Sequence, residues 1–238
     1  MKNKFKICEE KMTSEFNGEI YPLITGLHEI HITCSPNDLF KLRMYCMDNN
    51  LKPILAVAKY GETPIQPMFS KFKHGTSQQV IDKAQQMADE MNGKYDMFVT
   101  RVKVEAMMHN DGVPKLPNHT DGPHESTYST PYSEYYFEFH LKIPVKGSEE
   151  WDKLERVCKE KNAHISFNAF KKETVPLITL RLSANIGSIK AVQIKDELLD
   201  HLKANGFHTN DGIQCEFSVY DSNPDLDSGW LYDSPNNK

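Results

Sequence analysis

The chain has 238 residues, with 28 Lys and Arg against 33 Asp and Glu and a formal net charge of −5. Its 39% apolar and 26% charged content is ordinary for a globular protein, and its length suffices for two cores of about 100 residues each. The acidic balance offers no basic field to a nucleic-acid backbone, and no apolar run reaches the roughly 18 to 20 residues that span a bilayer. Neither duplex nucleic acid nor a membrane is therefore an expected partner.

Residues 1–19 are a polar lead-in. Its basic start, Met1-Lys2-Asn3-Lys4-Phe5-Lys6, is not followed by the apolar stretch of a signal peptide, so a cytoplasmic protein is the expectation. A first unit, residues 20–106, reads as strand 27–33, helix 37–48, strands 54–59 and 68–72, helix 77–91 and strand 97–105. Its helices carry apolar residues at spacings of three and four, such as Leu39, Leu42 and Cys46, then Val80, Ala84, Met87 and Met91. Residues 107–133 are rich in Gly, Pro, Asn, Ser and Thr and read as a linker. A second unit, residues 134–222, repeats the order as strand 135–143, helix 148–161, strands 164–170 and 177–183, helix 188–204 and strand 213–220. The tail, 223–238, is turn-rich and polar apart from Trp230 and Leu231.

The two units are copies of one pattern. Glu29-Ile30-His31-Ile32 returns as Glu138-Phe139-His140-Leu141, 109 residues on, and Cys46, Asn50 and Gly75 return as Cys158, Asn162 and Gly187, 112 residues on. The order β-α-β-β-α-β predicts an α+β fold of two tandem ferredoxin-like units, each an antiparallel sheet with helices on one face. Right-handed crossovers then require the strand order 4-1-3-2. Five cysteines without C-x-x-C spacing read as reduced and structural.

Alternation along the second-unit strands sets a polar face opposite the helices. On it the order 4-1-3-2 gathers His140, Lys142, His164, Ser166, Asn168, Arg181, Glu216, Ser218 and Tyr220. Two imidazoles can carry protons, Arg181 and Lys142 can clamp an anion, and Ser166, Asn168, Glu216 and Tyr220 can orient a ligand. The first unit offers Glu29, His31, Thr33, Arg101, Lys103 and Glu105 outward beside mainly apolar second and third strands. Against a site stands a structural reading: a wet sheet face, or one packed on the sister sheet with Glu-x-His as a paired polar seam.

His31-Ile32-Thr33 and His164-Ile165-Ser166 resemble the paired His-x-Thr/Ser motifs of the two-histidine phosphoesterases. That resemblance implies acid and base steps on phosphodiesters or cyclic phosphates. The positions differ from that family's, because the partner of His31 by duplication is His140 and His164 aligns with Lys52. His164–Ala169 and Tyr220–Trp230 also resemble an uncharacterised family, which brings no activity with it.

Three weaker signals remain. Asp221-x-Asn223-x-Asp225-x-Asp227 imitates a calcium loop but has Leu226 and Tyr232 where Gly and Glu belong, so Asx-turns are expected instead. His109, Asp111, His119, Asp121, His124 and Glu125 of the linker have metal-ligand chemistry but the setting of a polar loop. Gly75 and Gly187 open helices as ordinary caps. No cofactor fingerprint is present, and no metal site or cofactor is assigned. The expected function is an enzyme, possibly phosphoesterase-like, acting on a small anionic or phosphorylated molecule, with His140 and His164 catalytic. The alternatives are a non-catalytic metabolite- or protein-binding module and an assembly protein.

Overall fold

A computed structural model describes residues 13–16, 19–117, 135–171, 175–209 and 212–229. Cys8, the linker residues His119, Asp121, His124 and Glu125, and Trp230 and Leu231 lie outside them. A short hairpin, β1 (Thr13–Phe16) and β2 (Glu19–Pro22), sits in the segment expected to be irregular. The first unit follows as β3 (Thr25–Cys34), α1 (Leu39–Asp48), β4 (Pro53–Ala58), β5 (Ile65–Thr76), α2 (Ser77–Gly93) and β6 (Val99–Met107). The second comprises β7 (Tyr136–Lys142), α3 (Gly147–Lys159), β8 (His164–Asn168), β9 (Leu177–Ser183), α4 (Gly187–Ala204) and β10 (Gln214–Asp221). Both units have the expected antiparallel order, β6-β3-β5-β4 and β10-β7-β9-β8.

The two sheets are not separate. β4 pairs with β8 (Ala56 with Asn168, Ala58 with Ser166) and β6 with β10 (Ser218 with Glu105, Asp221 with Lys103), closing all eight strands into one barrel. Closure satisfies both edges of each sheet, which an open ferredoxin-like unit would leave unpaired. Its consequence is a correction: the polar face expected to be open on the second unit is the inside of a barrel, shared with the polar face of the first. The apolar faces turn outward beneath the helices. Ile30, Ile32, Val102 and Val104 are buried on that side with Val80, Ala84 and Met91 of α2, and Phe137, Phe139, Leu180 and Phe217 with Leu154 of α3 and Leu198 of α4.

The described cysteines are free, and burial pushes the thiols of Cys34, Cys46 and Cys158 up to about 12, which leaves them inert. The helix openings behave as caps. Thr76 and Gln79 form a reciprocal capping box at α2. At α4 the carbonyls of Pro114 and Lys115 accept from the Ser188 and Ile189 amides at 2.9 and 3.2 Å, so those first-turn donors hold chain rather than an anion. Gly187 permits this contact. Its φ is 72°, and a Cβ there would meet the Leu116 carbonyl carbon at 2.5 Å. Gly187→Ala is expected to lower unfolding stability in urea by about 1–3 kcal/mol, whereas Gly93→Ala, with open space around it, should change it little.

Candidate functional site

Duplication followed by closure brings the two Glu-x-His strands together. In β3, Glu29 lies beside Glu105 and His31 beside Lys103; in β7, Glu138 lies beside Glu216 and His140 beside Gln214. The two quartets are equivalent by register. The one chemical difference between them is Lys103 against Gln214. Lys103 Nζ donates to Glu138 Oε2 at 2.6 Å, joining the two units, and forms an ion pair with Glu105 Oε1 at 2.9 Å. Gln214 Nε2 donates to Glu29 and, at 2.8 Å, to Glu216 Oε1, which joins them a second time.

A further ion-pair layer lies beside this seam. Arg101 holds Asp221 with Nε at 2.8 Å and Nη2 at 2.5 Å, and its Nη1 reaches Asp227 Oδ2 at 2.9 Å. Arg181 donates to Glu138 Oε1 at 2.6 Å and to the same Asp227 oxygen at 2.5 Å, and its guanidinium stacks over the Tyr136 ring at 4.1 Å. Asp227 arrives on a 3₁₀ turn, Pro224–Asp227, after an Asx-turn in which the Asn223 amide donates to Asp221 Oδ1 at 3.1 Å. One of the expected Asx-turns is thus present, at Asp221, and its carboxylate, like that of Asp227, is committed to arginine. Both carboxyls are held below the usual range: burial opposes this, while Arg101 outweighs it at Asp221, and Arg101 and Arg181 together do so at Asp227.

Above these layers a cavity of about 240 Å³ opens. Its charged lining includes Glu29, His31, Arg101, Lys103, Glu138 and His140, its apolar lining is Ile54, Ala56, Met68 and Leu177, and Gln66, Ser70, Ser166 and Thr179 line it as well. Within the barrel, Glu29, Glu105, Glu138, Glu216, Asp221 and Asp227 face the permanent cations Arg101, Lys103 and Arg181. The imidazoles reduce the imbalance. Burial lowers the pKa of His140, but Glu138 and Glu216, 3.4 and 3.3 Å from its Nε2, raise it to about 10. Burial likewise opposes protonation of His31, and Glu105 at 3.0 Å raises its pKa overall. Even with both imidazoles charged, carboxylates outnumber cations among these groups.

The site expected from sequence is only partly assembled. His140, Lys142, Ser166 and Arg181 line the cavity, with Lys142 exposed at its rim. Glu216 is fully buried behind it, against His140 and Gln214. His164 instead lines a hollow of about 30 Å³ at the β4–β8 seam beside Trp151, where burial, aided by Arg181, drives its pKa down to about 4. Asn168 staples that same seam, its Oδ1 accepting from the Leu55 and Phe170 amides at 3.2 and 3.0 Å. Tyr220 is on the opposite face. A bulge between Ser218 and Tyr220 inverts the alternation, so Tyr220 pairs with buried Val104 and its hydroxyl accepts from Gln85 of α2 at 2.7 Å, while Asp221 turns inward. Arg101, Lys103, Glu29 and His31 of the first unit, which the sequence ranked lower, belong to the cavity; the alternation of Arg101-x-Lys103-x-Glu105 was their signal. Thr33 lines it as well.

The chain matches no protein-family model and no curated protein. Solved structures align over most of its length at low similarity. The regulatory subunit of aspartate kinase from Thermus thermophilus is 10% identical, with 78% of this chain and 98% of that one covered at a TM-score of 0.31. The acetolactate synthase small subunit from Thermotoga maritima is 12% identical over 79% and 95% at 0.25, and a heme-binding protein from Thermus thermophilus is 10% identical over 84% and 93% at 0.26. At these scores the likenesses carry no weight for fold or function. No helix among the described residues is long and apolar enough to cross a membrane.

Asp227 is the shared counter-ion of two arginines from different units, so its removal takes one of two carboxylate partners from each, leaving Arg101 with Asp221 and Arg181 with Glu138. Asp227→Asn is expected to cost about 3 kcal/mol in denaturant unfolding. The depressed Asp227 carboxyl contributes stability that is present above the unfolded carboxyl value and is lost as pH falls through the folded one. The same variant should therefore show a shallower fall in stability below about pH 4 than the parent protein.

Proposed function

We propose that this chain is a non-catalytic binding module for a small molecule, held at the open end of the barrel with its apolar body against Ile54, Ala56, Met68 and Leu177. The supporting observation is the division of one cavity into an apolar wall and an ionised floor, the arrangement by which pockets bury a ligand and fix its orientation. At about 240 Å³ the cavity is smaller than the roughly 300–1,000 Å³ of drug-sized sites, which suits a metabolite.

Two features favour binding over phosphoester chemistry. His140 lines the cavity while His164 lines the β4–β8 hollow, an arrangement that does not favour a shared reacting atom. Arg181 is engaged with Glu138 and Asp227 and is not available as an anion clamp. The barrel interior as a whole, with six carboxylates against the permanent cations Arg101, Lys103 and Arg181, favours a cationic head over the anionic one expected from sequence, and Lys142 at the rim opposes it.

A matched series of benzylamine, benzyl alcohol and benzoate, added in chelator-containing buffer, tests this by thermal unfolding. Stabilisation is expected in that order, reaching about 2.7 kcal/mol at a hundredfold Kd, and Leu177→Trp should abolish it by filling the apolar half. No stabilisation by any of the three, or the strongest from benzoate, would contradict the reading.

A further inference from the structure

The seam holds two clusters of one imidazole and two carboxylates, each drawn from both units: Glu29, His31 and Glu216, and Glu105, Glu138 and His140. In each, one donor atom per residue lies within 4.8 Å of the others. Donors sharing one ion, bonded at about 2.0–2.2 Å, lie roughly 3–4 Å apart, so small side-chain adjustments bring either set into range. The clusters differ in what already occupies them. Lys103 places an ammonium between Glu105 and Glu138. Its counterpart beside Glu29 and Glu216 is Gln214, which donates hydrogen bonds but carries no charge.

A second, independent observation concerns unmade bonds. Glu216 is fully buried, yet its Oε2 has no hydrogen bond of acceptable geometry, and neither has buried His31 Nε2; in the sister cluster both Glu105 oxygens also lack one, but there the Lys103 ammonium already stands 2.9 Å away. His31 Nε2 stands 3.0 Å from Glu105 and 4.0 Å from Glu29, and Glu216 Oε2 stands 3.3 Å from His140. They are close to opposite charge but out of line for donation. Buried polar atoms are rarely left so, and a cation accepted in common would satisfy them. Glu29 and His31 also face the cavity, which leaves coordination positions open toward it.

We infer that Glu29, His31 and Glu216 form a binding site for one divalent transition-metal ion, and that the equivalent cluster binds none because the Lys103 ammonium stands in that ion's place. One nitrogen and two carboxylate donors suit Zn²⁺, Mn²⁺ or Fe²⁺ better than the all-oxygen preference of Ca²⁺. No ligand set of this kind is visible along the chain, since its members lie 187 positions apart at the extremes and come from both copies. The inference goes beyond the small-molecule reading and does not need it. An ion on the floor would, however, reverse that floor's preference toward anionic heads, which is why the aromatic series is run with chelator.

The test uses the full chain, stripped with chelator and dialysed against micromolar Zn²⁺, then against Mn²⁺, with bound metal counted by mass spectrometry. One ion per chain is expected. His31→Gln should lose it, and so should Gln214→Lys, which supplies the ammonium found in the sister cluster; circular dichroism checks that both variants stay folded. A wild-type chain that takes up neither ion overturns the inference. So does an ion retained in both folded variants, which would place it elsewhere, as at the linker histidines. Benzylamine stabilisation measured on the same metal-free protein keeps failure of this site distinct from failure of the cavity.

Discussion

A carboxylate enclosed by eight strands is stable only with a cation beside it, and that requirement organises this protein. Desolvating a lone charge costs several kcal/mol, so an inward Glu or Asp needs opposite charge or a donor close by. The partners are supplied largely from across the seams. Lys103 of the first unit meets Glu138 of the second, Arg101 meets Asp221, and Asp227 from the tail bridges Arg101 to Arg181. The apolar core under the helices forms one cluster drawn from both units, and the ionic interior joins the units again from inside the barrel.

That division explains the architecture. A ferredoxin-like sheet with helices on one face leaves a polar face and two bare edges. Two such sheets joined edge to edge satisfy the edges and enclose both polar faces at once. An eight-stranded barrel is just wide enough inside for side chains plus one small guest. Here the ion pairs fill one end, Asp227 and Gln66 help close it through a 3.2 Å hydrogen bond, and the remaining space is the cavity.

Element order and strand pairing within each unit were legible because alternation and helical spacing are local signals that duplication repeats. The pairing of β4 with β8 was not, since edge strands carry no mark of what they will join. Without it the second polar face looked open, and the paired polar seam between Glu29-x-His31 and Glu138-x-His140 stood only as the competing structural reading. Tyr220 was misplaced for a different reason. A single extra residue near Val219 inverts the phase, and no Gly or Pro announces it. Asn168 lies at that unforeseen seam and serves the backbone, a role that residue type alone does not separate from ligand binding. Arg101 and Lys103 were underrated because the second and third strands of their own unit are mainly apolar; several of the groups that complete them come from the other copy.

The account stands or falls on coupling between the units through their buried charges. A double-mutant cycle on Lys103→Met and Glu138→Gln, read by denaturant unfolding, measures it at the shortest of the seam contacts to Lys103. A shared ionic interior predicts a coupling energy of at least about 1.5 kcal/mol, with the transition remaining single. Additive effects within about 0.3 kcal/mol, or separate transitions for the two units, would contradict it.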